Sequence, residues 1–171
     1  MILYIMRHGE AQPKSTAKAD DERSLSEIGR INVVNTFESM KSFGKRVDLV
    51  LCSPFTRAKQ TAEIACQMLT PLKNARPVVE ETLEPSRTPY EFYGFLSKYR
   101  PILDMAPTAN VLVVSHQPFV SSLISDLLGV EDARISMPTS ALAGVQVEAL
   151  PPSRGTGKLI LLIPPSERKS M

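Results

Sequence analysis

Six short apolar runs, rich in β-branched residues, recur along the chain and are separated by longer segments of mixed polarity. They lie at residues 2–6, 47–53, 78–79 continuing to 83, 111–115, 142–150 and 159–163. Runs of this length and composition are typical of buried strands. We therefore expect each of them to form a strand.

Helical spacing of apolar residues marks four of the intervening segments, at 26–43, after Pro54, at 90–103 and at 118–129. The last is the clearest, because a proline opens it and Gly129 suits a helix C-terminus. The predicted buried positions are Ile28, Ile31, Val34, Phe37 and Met40 in the first helix, Ala58, Ala62, Ala65 and Leu69 in the second, and Val120, Leu123, Ile124, Leu127 and Leu128 in the fourth.

Strands that alternate with helices predict an α/β fold, a single three-layer domain with a mostly parallel central sheet flanked by helices. The last two runs are joined by PPSRGTG, which is too short for a crossover helix. They are therefore predicted to form a C-terminal antiparallel hairpin at or near one edge of the sheet. We expect the domain to span residues 1–164 and residues 165–171 to form a flexible tail.

The composition excludes several functional classes. The 20 basic and 18 acidic residues give a net charge of +2, too balanced for a nucleic-acid footprint. No apolar run has the length of a membrane span or the form of a secretory signal. Cys52 and Cys66 fall in apolar stretches and are predicted to be buried, reduced thiols, which indicates a cytoplasmic protein.

One polar segment, residues 12–23, has the character of a mobile surface loop. It contains three consecutive acids, Asp20, Asp21 and Glu22, which are expected to be solvated.

Both histidines of the chain directly follow predicted strands. His8 follows Arg7 at the end of the first strand, and His116 follows the fourth. Arg57 lies in the first turn of the helix after the second strand. Since ligands of parallel α/β sheets bind outside the carboxyl ends of the strands, these four side chains are predicted to converge.

This set of side chains is suited to a phosphoryl group. Arginine forks bind phosphate oxygens, and helix N-termini add further donors. The neighbouring guanidinium groups disfavour the charged form of His8, and a neutral imidazole is a nucleophile as well as a base. The pattern predicts phosphoryl transfer to a histidine.

Two other site types fit poorly. A metal ion would lie beside Arg7 and Arg57, and no third ligand occurs at motif spacing. A serine hydrolase would need a Gly-x-Ser-x-Gly elbow, which is absent from the sequence. No metal or other cofactor is expected.

Four motifs occur in an order that resembles one known family. MRHGE, LSEIGR, SPFTRAKQTAE and VVSHQP resemble the histidine phosphatase superfamily, also called phosphoglycerate mutase-like. By its short length, by the residues of these motifs and by the stretch PTSALAGV, the chain most resembles the bacterial phosphohistidine phosphatases of this superfamily.

The resemblance implies roles for individual residues. His8 would be the nucleophile that is transiently phosphorylated, with Arg7, Arg57 and His116 binding and polarising the phosphoryl group. Arg23 would add a further contact or be a plain surface arginine. Gly9 would let the chain turn tightly behind His8, Glu10 would point away from the phosphate, and Gln60 and Thr61 would fix their helix or take part in catalysis.

The resemblance leaves two substrate classes open. Ester-hydrolysing members use a carboxylic acid to protonate the leaving alkoxide, and Glu84 is the candidate here, without the fuller motif. A phosphohistidine leaving group departs as neutral imidazole and needs that acid less. The expected substrate is phosphohistidine on a partner protein, such as the phosphotransfer domain of a hybrid sensor kinase. The alternative is a small phosphomonoester, and a non-catalytic phosphohistidine-binding protein is a third hypothesis.

Overall fold

A six-stranded sheet forms the centre of the computed structural model, which describes residues 1–17, 19–99, 108–130 and 135–165. The strands are β1 Ile2–Arg7, β2 Leu49–Cys52, β3 Val78–Val79, β4 Asn110–Ser115, β5 Leu142–Val147 and β6 Gly157–Ile163. Their order in the sheet is β3-β2-β4-β1-β5-β6. The first four strands in that order are parallel, and β5 and β6 run antiparallel to their neighbours.

Helices cover both faces of this sheet, so the predicted three-layer α/β architecture with its C-terminal hairpin is confirmed. They are α1 Glu27–Ser42, α2 Thr56–Leu69, α3 Pro89–Leu96 and α4 Phe119–Leu128. The helix predicted at 90–103 ends at Leu96 and continues as the 3-10 helix Ser97–Tyr99. Its remaining residues, and all of the predicted tail except residue 165, lie outside the described residues.

Alternate residues of β1 belong to two separate hydrophobic cores. Tyr4 and Met6 pack with α1 and α2, whereas Leu3 and Ile5 pack with α3 and α4. All four side chains are fully buried, as expected for an interior strand covered on both faces. The strand β1, which carries Arg7, is therefore packed on both of its faces.

The buried face of α1 differs from the prediction. Phe37 and Met40 are buried, but Ile28, Ile31 and Val34 are 61%, 41% and 37% exposed. The helix turns Gly29, Val33 and Thr36 inward instead. Thr36 Oγ1 donates to the Ser140 carbonyl at 2.9 Å, and Gly29 packs against the Glu10 backbone. Close approach and a hydrogen bond set this face, and neither is visible in a hydrophobicity pattern.

Substituting Gly29 with alanine should therefore destabilise the protein. A Cβ at this position would overlap the Glu10 carbonyl oxygen, which is backbone and has little room to move. We expect the free energy of unfolding to fall by about 1–3 kcal/mol, as for other overpacked sites. Gly94→Ala in α3 is the matched control, because its Cβ would meet nothing within 4 Å. Urea denaturation of both variants measures the difference, and equal stability would contradict the packing argument.

Candidate active site

The carboxyl ends of β1 and β4 bring the two histidines together. Arg7 pairs with Ser115 in the sheet, and the His8 amide donates to the Ser115 carbonyl at 3.0 Å. His116 follows directly, so the His8 and His116 ring centroids are 4.8 Å apart. Both rings are buried, at 6% and 2% exposure.

Arg57 reaches the same point from the first turn of α2. Its Nε donates to His8 Nε2 at 3.1 Å, and its side chain is buried. Arg7 is held by a hydrogen bond from Nη1 to the Met137 carbonyl at 3.1 Å, and its charge acts on both histidines. The structure thus brings all four predicted side chains to one edge of the sheet.

The hydrogen bonds of His8 define its tautomer. His8 Nδ1 lies 2.6 Å from the Gly9 carbonyl oxygen, which only accepts hydrogen bonds, so Nδ1 carries the proton. Nε2 then bears the lone pair, in keeping with its acceptance of a hydrogen bond from Arg57 Nε. The nitrogen available for attack is therefore Nε2, beside a guanidinium group.

Five buried side-chain polar atoms have no hydrogen-bond partner among the described residues, and two of them belong to the four predicted site residues. These two are Arg7 Nε and His116 Nδ1. The other ring nitrogen of His116, Nε2, lies 2.8 Å from Ser53 Oγ. If the Ser53 hydroxyl donates this bond, Nδ1 carries a proton. Buried donors without partners are costly, and anion oxygens would satisfy them.

Both histidines are neutral at physiological pH. Burial lowers the pKa of His8 to about 4, and the charges of Arg57, Arg7 and Arg23 act in the same direction. Burial likewise lowers the pKa of His116 to about 2, with smaller contributions from His8 and Arg57. The arginines were expected to keep His8 neutral, and they act in that direction, but removal from water lowers the pKa of His8 more than any single arginine does.

Acidification should reveal these shifts as lost stability. An unfolded histidine takes up a proton near its ordinary pKa of about 6.5, whereas folded His8 stays neutral down to about 4. The free energy of unfolding should therefore fall by about 1.4 kcal/mol per pH unit for each histidine as pH drops below that ordinary value. Denaturation at several pH values measures this slope, and nitrogen NMR of labelled histidine reads each tautomer and pKa. A His8 ring that titrates near 6.5 would contradict the prediction.

Neighbouring residues hold the His8 backbone. The Gly9 amide donates to Thr61 Oγ1, and Thr61 Oγ1 in turn donates to the Arg57 carbonyl at 2.8 Å. Gln60 Oε1 accepts from the Leu25 amide.

Gly9 is needed for a reason other than a tight turn, since its φ lies outside the left-handed region. A Cβ there would lie 2.7 Å from Val33 Cγ2, so Gly9 permits the close approach of α1.

Ser140 is a site residue that sequence reasoning missed. Its amide donates to the carbonyls of both Arg7 and His8 at 3.1 Å, and it adopts a left-handed φ of 67°. Such a backbone is uncommon for serine, and it fixes the segment that carries His8. Nothing in PTSALAGV signals this conformation.

The acidic loop also differs from the prediction, because Asp20 is not simply solvated. Arg57 Nη2 donates to Asp20 Oδ2 and Arg23 Nη1 donates to Asp20 Oδ1, both at 2.8 Å. Arg23 therefore contacts Asp20 and the Gln12 carbonyl rather than a histidine ring. Its charge still lowers the pKa of His8.

The two remaining acids lie at the border of the site. Glu10 Oε1 accepts a hydrogen bond from Ser26 Oγ, so its carboxylate is directed to the start of α1. Glu84 follows Leu83, whose carbonyl accepts from Ser115 Oγ at 2.6 Å. This bond brings the Glu84 backbone near the end of β4, and no hydrogen bond between described side chains joins its carboxylate to either histidine.

Within the described ranges, no group of three or more His, Cys, Asp or Glu side chains is arranged to hold a metal ion. Among the helices that the structure describes, none has the length and apolar character of a membrane span. The two cysteines are buried free thiols.

Comparison with known proteins gives a consistent result. Residues 3–84 match the family model of the histidine phosphatase superfamily (branch 1). The chain is 34% identical over 148 residues to the phosphohistidine phosphatase SixA of Escherichia coli strain K12, covering 86% of each chain. It is 29% identical over 135 residues to a SixA homologue of Haemophilus influenzae, covering 75% of this chain and 78% of the other. The structure of the protein histidine phosphatase SixA complexed with tungstate superimposes with a TM-score of 0.77 at 31% identity, over 96% of this chain and 97% of that one.

Proposed function

Because this chain belongs to the histidine phosphatase superfamily, we propose that it is a phosphatase that hydrolyses phosphohistidine on a partner protein through a phospho-His8 intermediate. The observation that carries the proposal is the His8 ring, with Nδ1 bonded to the Gly9 carbonyl and Nε2 facing Arg57. The partner class we propose is the phosphotransfer domain of a hybrid sensor kinase. The free thiols of Cys52 and Cys66 support a cytoplasmic location.

In the first step, His8 Nε2 attacks phosphorus and the bond from phosphorus to the substrate imidazole breaks. The electron pair of that bond returns to the substrate nitrogen, and the imidazole leaves neutral if its other nitrogen carries a proton. Arg57 Nε, freed from His8 Nε2, then donates to a phosphoryl oxygen. Arg7 Nε provides a further donor for the charge of the transition state, and His116 Nδ1 provides another when the Ser53 hydroxyl donates to His116 Nε2.

In the second step, water attacks phosphorus and the His8–phosphorus bond breaks. The Gly9 carbonyl keeps the proton on His8 Nδ1 throughout, so the ring departs as neutral imidazole when it regains its electron pair. Both leaving groups are then imidazoles that already carry a proton. This chemistry supports phosphohistidine over an ester, because an alkoxide leaving group needs an acid and an imidazole that already carries a proton does not.

The test is a comparison of kcat/KM on a phosphorylated phosphotransfer domain with kcat/KM on sugar phosphates and nucleotides. We expect the phosphoprotein to be the better substrate, with turnover that survives a chelator and is inhibited by orthovanadate. Glu84→Gln should slow any ester hydrolysis more than it slows phosphohistidine hydrolysis. Efficient hydrolysis of an ester with none of phosphohistidine would establish the small-molecule alternative. Stoichiometric binding without turnover would point to a binding protein.

A further inference from the structure

We propose that Asp20 is a positioning residue that orients the Arg57 guanidinium towards the phosphoryl group on His8. The inference rests on the proposed function for the identity of that group. Among the described residues Asp20 makes no hydrogen bond to either histidine ring, and its direct contact with the site is through Arg57.

Asp20 binds the outer end of the guanidinium. Arg57 Nη1 donates to the Asp20 carbonyl at 2.5 Å and Nη2 donates to Asp20 Oδ2 at 2.8 Å, while Nε faces His8 Nε2. The N–H groups of a guanidinium point in fixed directions in one plane, so anchoring its outer end fixes where Nε–H points. The Phe55 ring, 5.0 Å from Arg57 Cζ, restricts the plane further.

Asp20 is itself held in place. Its second carboxylate oxygen, Oδ1, accepts from Arg23 Nη1, and Arg23 Nε donates to the Gln12 carbonyl at 2.8 Å. These bonds to Arg23 and Arg57 lower the pKa of Asp20 to about 2, so the carboxylate stays ionised at neutral pH. The chain of contacts ties the loop before α1 to the first turn of α2.

An acid beside an anion site would ordinarily weaken anion binding. Here the Asp20 carboxylate and His8 Nε2 bind different nitrogens of one guanidinium group, Nη2 and Nε, whose positive charge offsets that of the carboxylate. Asp20 also separates the like charges of Arg23 and Arg57, which would otherwise repel each other. We therefore expect the gain in orientation to exceed the repulsion of the phosphoryl group.

A double-mutant cycle tests the proposal with Asp20→Ala, Arg57→Ala and the pair. The readouts are kcat/KM on the phosphoprotein and the Kd of orthovanadate, which does not depend on the natural substrate. Asp20→Ala should reduce kcat/KM and weaken vanadate binding by about 10- to 100-fold, the loss typical of a hydrogen bond to a charged group. In the Arg57→Ala background, Asp20→Ala should change kcat/KM and the Kd of orthovanadate by less than about twofold, because the residue that Asp20 acts through is absent.

The matched control is Asp21→Ala, an exposed neighbouring acid that should leave both readouts unchanged. Asp20→Asn, which keeps an acceptor oxygen, should fall between wild type and Asp20→Ala, and thermal unfolding establishes that each variant is folded. Equal losses in both backgrounds, no loss in wild type, or tighter vanadate binding would each overturn the proposal. A wild-type protein that binds vanadate through Arg57 but does not hydrolyse phosphohistidine would instead refute the proposed function, and the vanadate cycle would still decide the role of Asp20.

Discussion

Replacing His8 with alanine is expected to abolish turnover, with a loss in kcat of about 10⁵-fold or more, as for other enzymes that lose their nucleophile. The change removes the only protein atom proposed to bond to phosphorus. Single-turnover assays with labelled phosphoprotein measure the loss. Wild type denatured under alkaline conditions, in which phosphohistidine survives, should carry the label on His8, and His8→Ala should carry none.

The control for this experiment is a variant that alters the site without removing the nucleophile. His116→Ala should be slower than wild type but should still accept label on His8. Label on another residue, or full activity of His8→Ala, would contradict the covalent mechanism.

Arg57→Ala is expected to lower kcat/KM by about 10²- to 10³-fold, as when a preorganised donor is removed from a transition state. Both kcat and KM should worsen, because Arg57 would bind the phosphoryl group before and during transfer. Arg57→Lys should recover little, since one ammonium group cannot bind Asp20 and His8 with the geometry of a planar fork.

Arg30→Ala, at an exposed position of α1, is the matched control for the loss of one positive charge. It should retain wild-type kcat/KM. Steady-state kinetics with thermal unfolding of each variant separates lost catalysis from lost folding. A lysine variant with wild-type activity would show that charge alone suffices at position 57.

Much of the fold follows from the sequence because strand and helix periodicities differ. The predicted stripe Ala58, Ala62, Ala65 and Leu69 of α2 is buried as expected, and Gly129 ends α4 with a left-handed φ of 69°. The face of α1 was predicted wrongly because its contacts use Gly29 and Thr36. Gly29 permits a close approach, and the Thr36 hydroxyl bonds a distant carbonyl. Neither property is visible in a pattern of hydrophobic residues.

The candidate site likewise has one part that the sequence predicts and one part that it does not. The sequence places Arg7, His8 and His116 at strand ends, and parallel strands bring those ends to one edge without further information. Asp20 and Ser140 could not be predicted, since their contacts with Arg57 and with the Arg7 and His8 carbonyls join distant parts of the chain. An exposed acid in a polar loop and a serine before a strand are both ordinary features of sequences.

Because β5 runs antiparallel to both β1 and β6, residue 1 and the end of β6 lie at opposite ends of the strands. This placement determines which end of the protein is better attached to a surface or a tag. The Met1 amine donates to the Val147 carbonyl, at the edge of the sheet opposite His8. β6 ends at Ile163, which aligns through Leu142 with Met6, so the chain leaves the sheet on the His8 edge. That exit lies two strands from β1, about 10 Å away at the usual strand spacing. Immobilisation through residue 1 would leave the His8 edge facing solution for a macromolecular ligand, whereas a bulky fusion after residue 165 would emerge beside it.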